Sequence, residues 1–226
     1  MNSFWRVVGA VLARDVRAEW RRKDIFTTIV MFGLLTVMVF VFAFDPARHE
    51  RADVVPGTLW ASFLFAGILG LNRSASRDSQ DDQISGVVTS PADRGALYLG
   101  KTLSNLLFMV IGEAIVLVAV AFFFDLDGRH LAPEFFALLV LGTLGFIGVG
   151  TIFALVSQKT RMQEVMTPIL LLPVILPLLR AVIEGTKIVF DPTGNDGLGS
   201  WIQLAAGYDV IFLIAGFLLY GFVLED

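Results

Sequence analysis

IFTTIVMFGLLTVMVFVFAF, residues Ile25–Phe44, runs for twenty residues without a charge. A helix rises about 1.5 Å per residue, so this stretch spans about 30 Å, the thickness of a bilayer's hydrocarbon core. A soluble helix of that length would carry a polar face at helical spacing. Working outward, five more stretches have the same character: Val54–Asn72, Thr102–Phe124, Phe135–Gln158, Val165–Ile183 and Trp201–Leu224. Three of the six hold no charge, and the others hold one each, at Glu113, Arg180 and Asp209. The chain therefore reads as all-α, a polytopic membrane protein with one transmembrane domain over residues 1–226.

Composition agrees. Hydrophobic residues make up 56% and charged residues 17%, against about 45–50% and 25% in a soluble domain. The absence of cysteine excludes disulfides, thiolate metal sites and iron–sulfur clusters. The first 24 residues hold six basic and three acidic side chains with no apolar run, so no secretory signal is legible there and Ile25–Phe44 is expected to act as an uncleaved anchor. Twelve Lys and Arg fall on the side of the N-terminal segment, the second loop and the fourth loop, and five on the other. That asymmetry predicts both termini in the cytoplasm.

Three segments depart from plain spans. In residues 1–24, Trp5, Val8, Leu12, Val16 and Trp20 recur at three and four, while Arg6, Arg14, Arg17 and Arg21 gather on another face. This pattern predicts an amphipathic helix lying on the bilayer, its cations meeting anionic lipid; a helix capping a partner subunit is the alternative. The loop 73–101 carries Arg77, Asp78, Asp81 and Asp82, then Ser90 and Pro91. It reads as a docking element held at the cytoplasmic surface, or as a solvated connector. The fifth span contains Pro168, Pro173 and Pro177. Each removes a backbone donor, so this helix is expected to be short or broken. The segment after it, 184–200, is either a re-entrant turn or a plain loop.

Small residues mark helix contacts. Ser62, Ala66 and Gly70 recur at four, and Gly142, Gly145 and Gly148 at three. These stripes serve either packing within the chain or a homodimer interface.

Candidate chemistry is sparse. Gly95-Ala-Leu-Tyr-Leu-Gly100-Lys101-Thr102 satisfies the phosphate-loop pattern letter for letter. A phosphate loop needs a preceding strand and a soluble sheet, however, and here the chain enters a span. ATP, if used, is bound by another subunit, and Lys101 is expected to snorkel to the interface. Glu113 and Asp209 lie at membrane depth, where an acid faces a bundle interior or a wet cavity. They read as a substrate or proton site, or as helix contacts to Asn105, Ser157, Gln203 or Tyr208. His49 and His130 fall in outward loops, either solvated or as axial haem ligands. No metal cluster, nucleophile–base pair or nucleic-acid signature stands out.

The opening Leu12-Ala-Arg-Asp with Trp20-Arg-Arg-Lys, then Pro56-Gly-Thr-Leu-Trp60, then Asn72-Arg73, Arg77-Asp78, Asp81-Asp82 and Ser90-Pro91, closing with Leu99-Gly-Lys101-Thr, resemble the permeases of type-2 ABC exporters. More narrowly they resemble the haem exporter B (CcmB) family of the bacterial cytochrome c maturation system. Where that family's loop reads acid-acid-Gly-x-Leu-Glu, this chain has Asp81-Asp82-Gln83-Ile84-Ser85-Gly86. The resemblance implies a permease in the bacterial inner membrane, homodimeric or pseudo-dimeric, and not itself an enzyme. It also implies an ATPase partner subunit docked through the N-terminal helix and the loop, further cytochrome c maturation membrane subunits, and haem as cargo rather than as a bound cofactor. A conduit for haem should show a porphyrin-sized cavity with polar groups for its propionates; a coupling scaffold need not. An exporter of lipid, glycan or drug and a self-contained secondary carrier remain the alternatives.

Overall fold

The computed structural model describes residues 2–44, 51–80, 94–127, 131–158, 160, 162–191 and 197–225. They form helices α1 (Asn2–Arg22), α2 (Asp24–Ala43), α3 (Arg51–Gln80), α4 (Arg94–Phe123), α5 (Pro133–Gln158), α6 (Gln163–Phe190) and α7 (Leu198–Glu225), and among the described residues there is no strand. Six of these, α2 to α7, are long and apolar enough to cross a membrane.

Central helix α5 touches α3, α4, α6 and α7, while α2 lies against α3 and α4, and α1 against α4. Burial follows the helical period. On α2 only Ile25, Ile29, Gly33 and Val37 face inward, one stripe at every fourth residue. Met31, Phe32, Leu35, Val39 and Phe42 are left on the outer face. The small-residue stripes are filled from within the chain. Ile29 packs where a Cβ on Gly70 would sit, the Trp60 ring lies over Gly142, and Leu213 covers Gly148.

Three boundaries differ from those read in the sequence. Helix α3 runs about two turns past Asn72, so Arg73–Gln80 is helix rather than loop. Helix α4 begins at Arg94, eight residues before the expected entry at Thr102. Both overhangs are amphipathic with neighbours to pack on: Ser74, Ala75, Ala96, Leu97 and Tyr98 are all buried. At about 45 Å each, α3 and α4 exceed the hydrocarbon thickness.

The third difference is α6, which is one continuous helix through all three prolines. Each proline forfeits one N–H, yet Leu171, Ile175, Leu178 and Val182 stay buried against neighbouring helices, and such packing tolerates isolated gaps in a spanning ladder. Its extension to Phe190 makes Gly185 helical, packed on Leu138. Residues 192–196 lie outside the described set, so the re-entrant or loop character of that connection does too. It resumes at Gly197, whose φ of 97° suits glycine.

Candidate functional site

Where α1, the end of α3 and the start of α4 converge, six charged side chains meet. Helix α1 supplies Arg14, Asp15 and Glu19, α3 supplies Arg77 and Asp78, and α4 supplies Lys101. The Lys101 ammonium lies 2.6 Å from Asp78 Oδ2 and 3.1 Å from Asp15 Oδ2. The Arg14 guanidinium donates to Asp15 Oδ1 through Nε at 3.0 Å and Nη2 at 2.8 Å, and sits 3.8 Å from Asp78 Oδ1. Arg77 Nη1 donates to Glu19 Oε2 at 2.9 Å. Asp15, Glu19, Arg77 and Lys101 are each only 2–6% exposed. Three cations meet three anions, so the cluster is neutral, as burial of so many charges requires.

Local sequence explains the placement. Asp15 and Glu19 are four apart and share one face of α1. Lys23 then takes a left-handed turn, φ 58°, that ends α1 and starts α2. Glu19 serves both helices, because its Oε1 also accepts the Phe26 amide at 2.8 Å near the start of α2, where backbone donors lack helical partners. Burial pushes the Asp15 carboxyl up, but the Lys101 ammonium and the Arg14 guanidinium outweigh it and hold the group below its ordinary 3.8.

Polar groups continue inward from the cluster. Ser74 Oγ donates to Asn105 Oδ1 at 2.7 Å, and Asn105 Nδ2 donates to Thr151 Oγ1 at 3.1 Å. Gln163 Nε2 reaches the Asn72 carbonyl at 3.2 Å. A pocket of about 240 Å³ lies among Ser74, Asp78, Lys101, Asn105, Thr151 and Tyr220. Among the described residues, Arg77 Nη2, Asp78 Oδ1 and both Asn72 amide atoms have no hydrogen-bond partner. Such a polar space suits ordered water.

Each residue singled out in the sequence can now be placed. Arg77 and Asp78 face inward on α1 and α4 rather than outward from a loop; Asp81, Asp82, Ser90 and Pro91 lie outside the described residues. On α1, Trp20 is 82% exposed, and Trp5, Arg17 and Arg21 also face out. Of the predicted apolar stripe only Val8 is fully buried; the inward face holds Asp15 and Glu19 instead, because their partners on α3 and α4 are invisible from α1 alone. Lys101 does not snorkel, and its phosphate-loop look-alike is helical throughout. What sequence reasoning missed was the pair Asp15 and Glu19, although two acids at i and i+4 in an otherwise basic segment were the signal.

At membrane depth, Glu113 meets none of the partners expected from sequence. Thr143 Oγ1 lies 2.8 Å from each of its carboxylate oxygens and 2.8 Å from the Leu139 carbonyl. Asp209 is 3% exposed and neither carboxyl oxygen has a hydrogen-bond partner among the described residues; Gly145 gives it room. Glu113 borders a cavity of about 310 Å³ walled by Trp60, Phe63, Met109, Phe146 and Leu178. The cavity offers one acid and no cation for a carboxylate-bearing cargo. Trp60 Nε1 donates to Thr186 Oγ1 at 3.0 Å, joining α3 to α6. His49 and His130 lie outside the described residues. Among the described residues no three His, Asp or Glu side chains could hold a metal.

Residues 6–221 match the family model described as CcmB protein. The chain is also similar to a curated relative named "Heme exporter protein B" from Bradyrhizobium diazoefficiens, 22% identical over 210 residues that cover 92% of this chain and 93% of the relative.

Proposed function

Because this chain belongs to the CcmB protein family, we propose that it is the membrane-spanning permease of a haem-exporting ABC transporter, driven by ATP that a separate subunit hydrolyses. The observation that carries this reading is the family match over nearly the whole chain, together with six helices able to cross a membrane. ATP binding by the chain itself has no physical support, since the phosphate-loop look-alike is a buried stretch of α4.

The basic residues favour an orientation in which both termini and the charge junction face the cytoplasm of a bacterial inner membrane. The ATPase subunit docks there, against α1 and the segment 81–93. The exposed Trp5, Arg17, Trp20 and Arg21 rest on the anionic headgroups. A second copy of the chain, and the other membrane subunits of cytochrome c maturation, complete the transporter. Its ATP cycle either exports haem or releases a haem-loaded chaperone.

The test is purification of the chain from native membranes in mild detergent, with mass spectrometry of its companions. Recovery of an ATPase subunit with haem-handling membrane proteins is the expected result. An ATPase without them would leave the permease reading and remove haem. No ATPase, in a preparation whose other complexes survive extraction, would overturn the proposal in favour of a self-contained carrier.

A further inference from the structure

The junction holds more charge than α1 needs to pack. A helix seated only by Val7, Val8 and Val11 could slide on α4; one pinned by ion pairs cannot, because displacement strands buried charges without partners. Lys101 is the common member, in contact with Asp15 of α1 and Asp78 of α3 while itself on α4. Arg14 repeats the bridge more loosely, reaching Asp15 and Asp78 together. Glu19 adds a second tie, to Arg77 on α3, and caps α2. Four helices are thereby joined at one end of the bundle. At its other end α1 meets α7, where Phe4 lies 6.4 Å from the Phe217 ring.

We propose that Lys101 is a positioning residue for energy coupling, locking α1 to the adjoining ends of α3 and α4 so that these elements move as one rigid lever when ATP binds. The idea rests on the permease reading above and adds to it the residue that transmits the movement. Push α1 or the end of α3, and α4 follows through Lys101; its far half carries Glu113 into the membrane-depth contacts with α5. Without the lock, the partner would still bind and hydrolyse ATP, but α1 would slip over α4 and the stroke would be lost.

The lack of cysteine allows a clean test. Pairs of cysteines carrying spin labels are placed at the exposed positions Ala10 on α1, Leu107 on α4 and Ile169 on α6, in the chain with its co-purified ATPase subunit in nanodiscs. Distances are recorded without nucleotide and after trapping with ATP and vanadate. In the wild type, α1 to α4 should keep one narrow distance in both states while α1 to α6 changes. Lys101→Met should at least double the width of the α1–α4 distribution. It should cut haem delivered per ATP at least tenfold, with ATPase binding retained and hydrolysis within twofold. Lys101→Arg, which keeps the charge, should recover both.

A merely structural lysine would lower the yield of folded protein but leave haem per ATP unchanged in what remains. That result, or a Lys101→Met chain with a narrow α1–α4 distance, overturns the proposal. Should Lys101→Met fail to insert, Arg14→Gln at the half-exposed end of the junction applies the same two readouts. Absence of any ATPase beside the wild type would sink the functional reading and the lever role together, whereas the lock itself would still stand or fall on the α1–α4 width.

Discussion

Removing one partner from a buried ion pair leaves the other charge stranded, at a cost of about 3–5 kcal/mol. Arg77 and Glu19 are such a pair. Arg77→Met is therefore expected to lose a few kcal/mol of stability, read by thermal unfolding in detergent. Adding Glu19→Gln, which keeps an oxygen for the Phe26 amide, should recover a large part of the loss. Strictly additive losses would mean the two charges are not coupled. Glycines give a second contrast. A Cβ on Gly142 would collide with the Trp60 ring, whereas one on Gly207 meets nothing within 4 Å. Gly142→Ala should destabilise by about 1–3 kcal/mol through overpacking, and Gly207→Ala should be neutral or gain up to about 1 kcal/mol from helix propensity. Equal melting temperatures for the two variants would contradict the packing of α3 on α5. Asp209 poses the reverse case, a buried acid with no hydrogen-bond partner among the described residues. Asp209→Asn should fold at least as well as the wild type in the same melts, and any accompanying loss of transport would then be functional rather than structural.

Helix α1 should respond to acid through Asp15. The Asp15 carboxyl sits below 3.8 when folded, so its share of the α1 attachment is complete above that value and is lost as pH falls through the lower, folded one. Exchange protection of α1 amides, corrected for intrinsic rates, should therefore hold steady from neutral pH down to about 4 and decline only below. A decline near pH 6 would point away from Asp15. The same helix shows what sequence can and cannot reveal. Long apolar runs made α2, α5 and α7 legible to within a few residues, because crossing a bilayer is a constraint each helix satisfies alone. The inward face of α1 was not legible, since Asp15 and Glu19 become interior groups only when Arg77 and Lys101 arrive from residues 58 and 86 positions away. Reading α6 as broken failed for a related reason. Proline chemistry is local, but the packing of Leu171, Ile175 and Leu178 that keeps the helix continuous is not.

For the whole molecule, the proposed haem cargo raises the question of where a flat, dicarboxylate macrocycle could pass. The described cavities have about 310, 240 and 180 Å³ of empty space. The largest of these presents Glu113, and in the next Lys101 is already held by two carboxylates. Neither combines porphyrin size with free cations for the propionates. Under the proposed haem cargo, a passage is then expected on the outer faces, between this chain and another subunit, or elsewhere in the complex. Helices α2 and α7 are largely unburied along their spans, and α6 exposes Arg180 among Leu172, Leu176 and Ile169. An arginine there favours a wet or protein-covered surroundings over lipid, unless its head reaches the interface. Single cysteines introduced along α2, α6 and α7 and oxidised in native membranes should form dimers from one face only, read on a non-reducing gel, if two copies line the passage. Cross-links from α6 positions near Arg180 would put that arginine at the shared surface. Cross-links from none of the three faces, with the other subunits present, would mean that this chain transmits force while haem moves along another one.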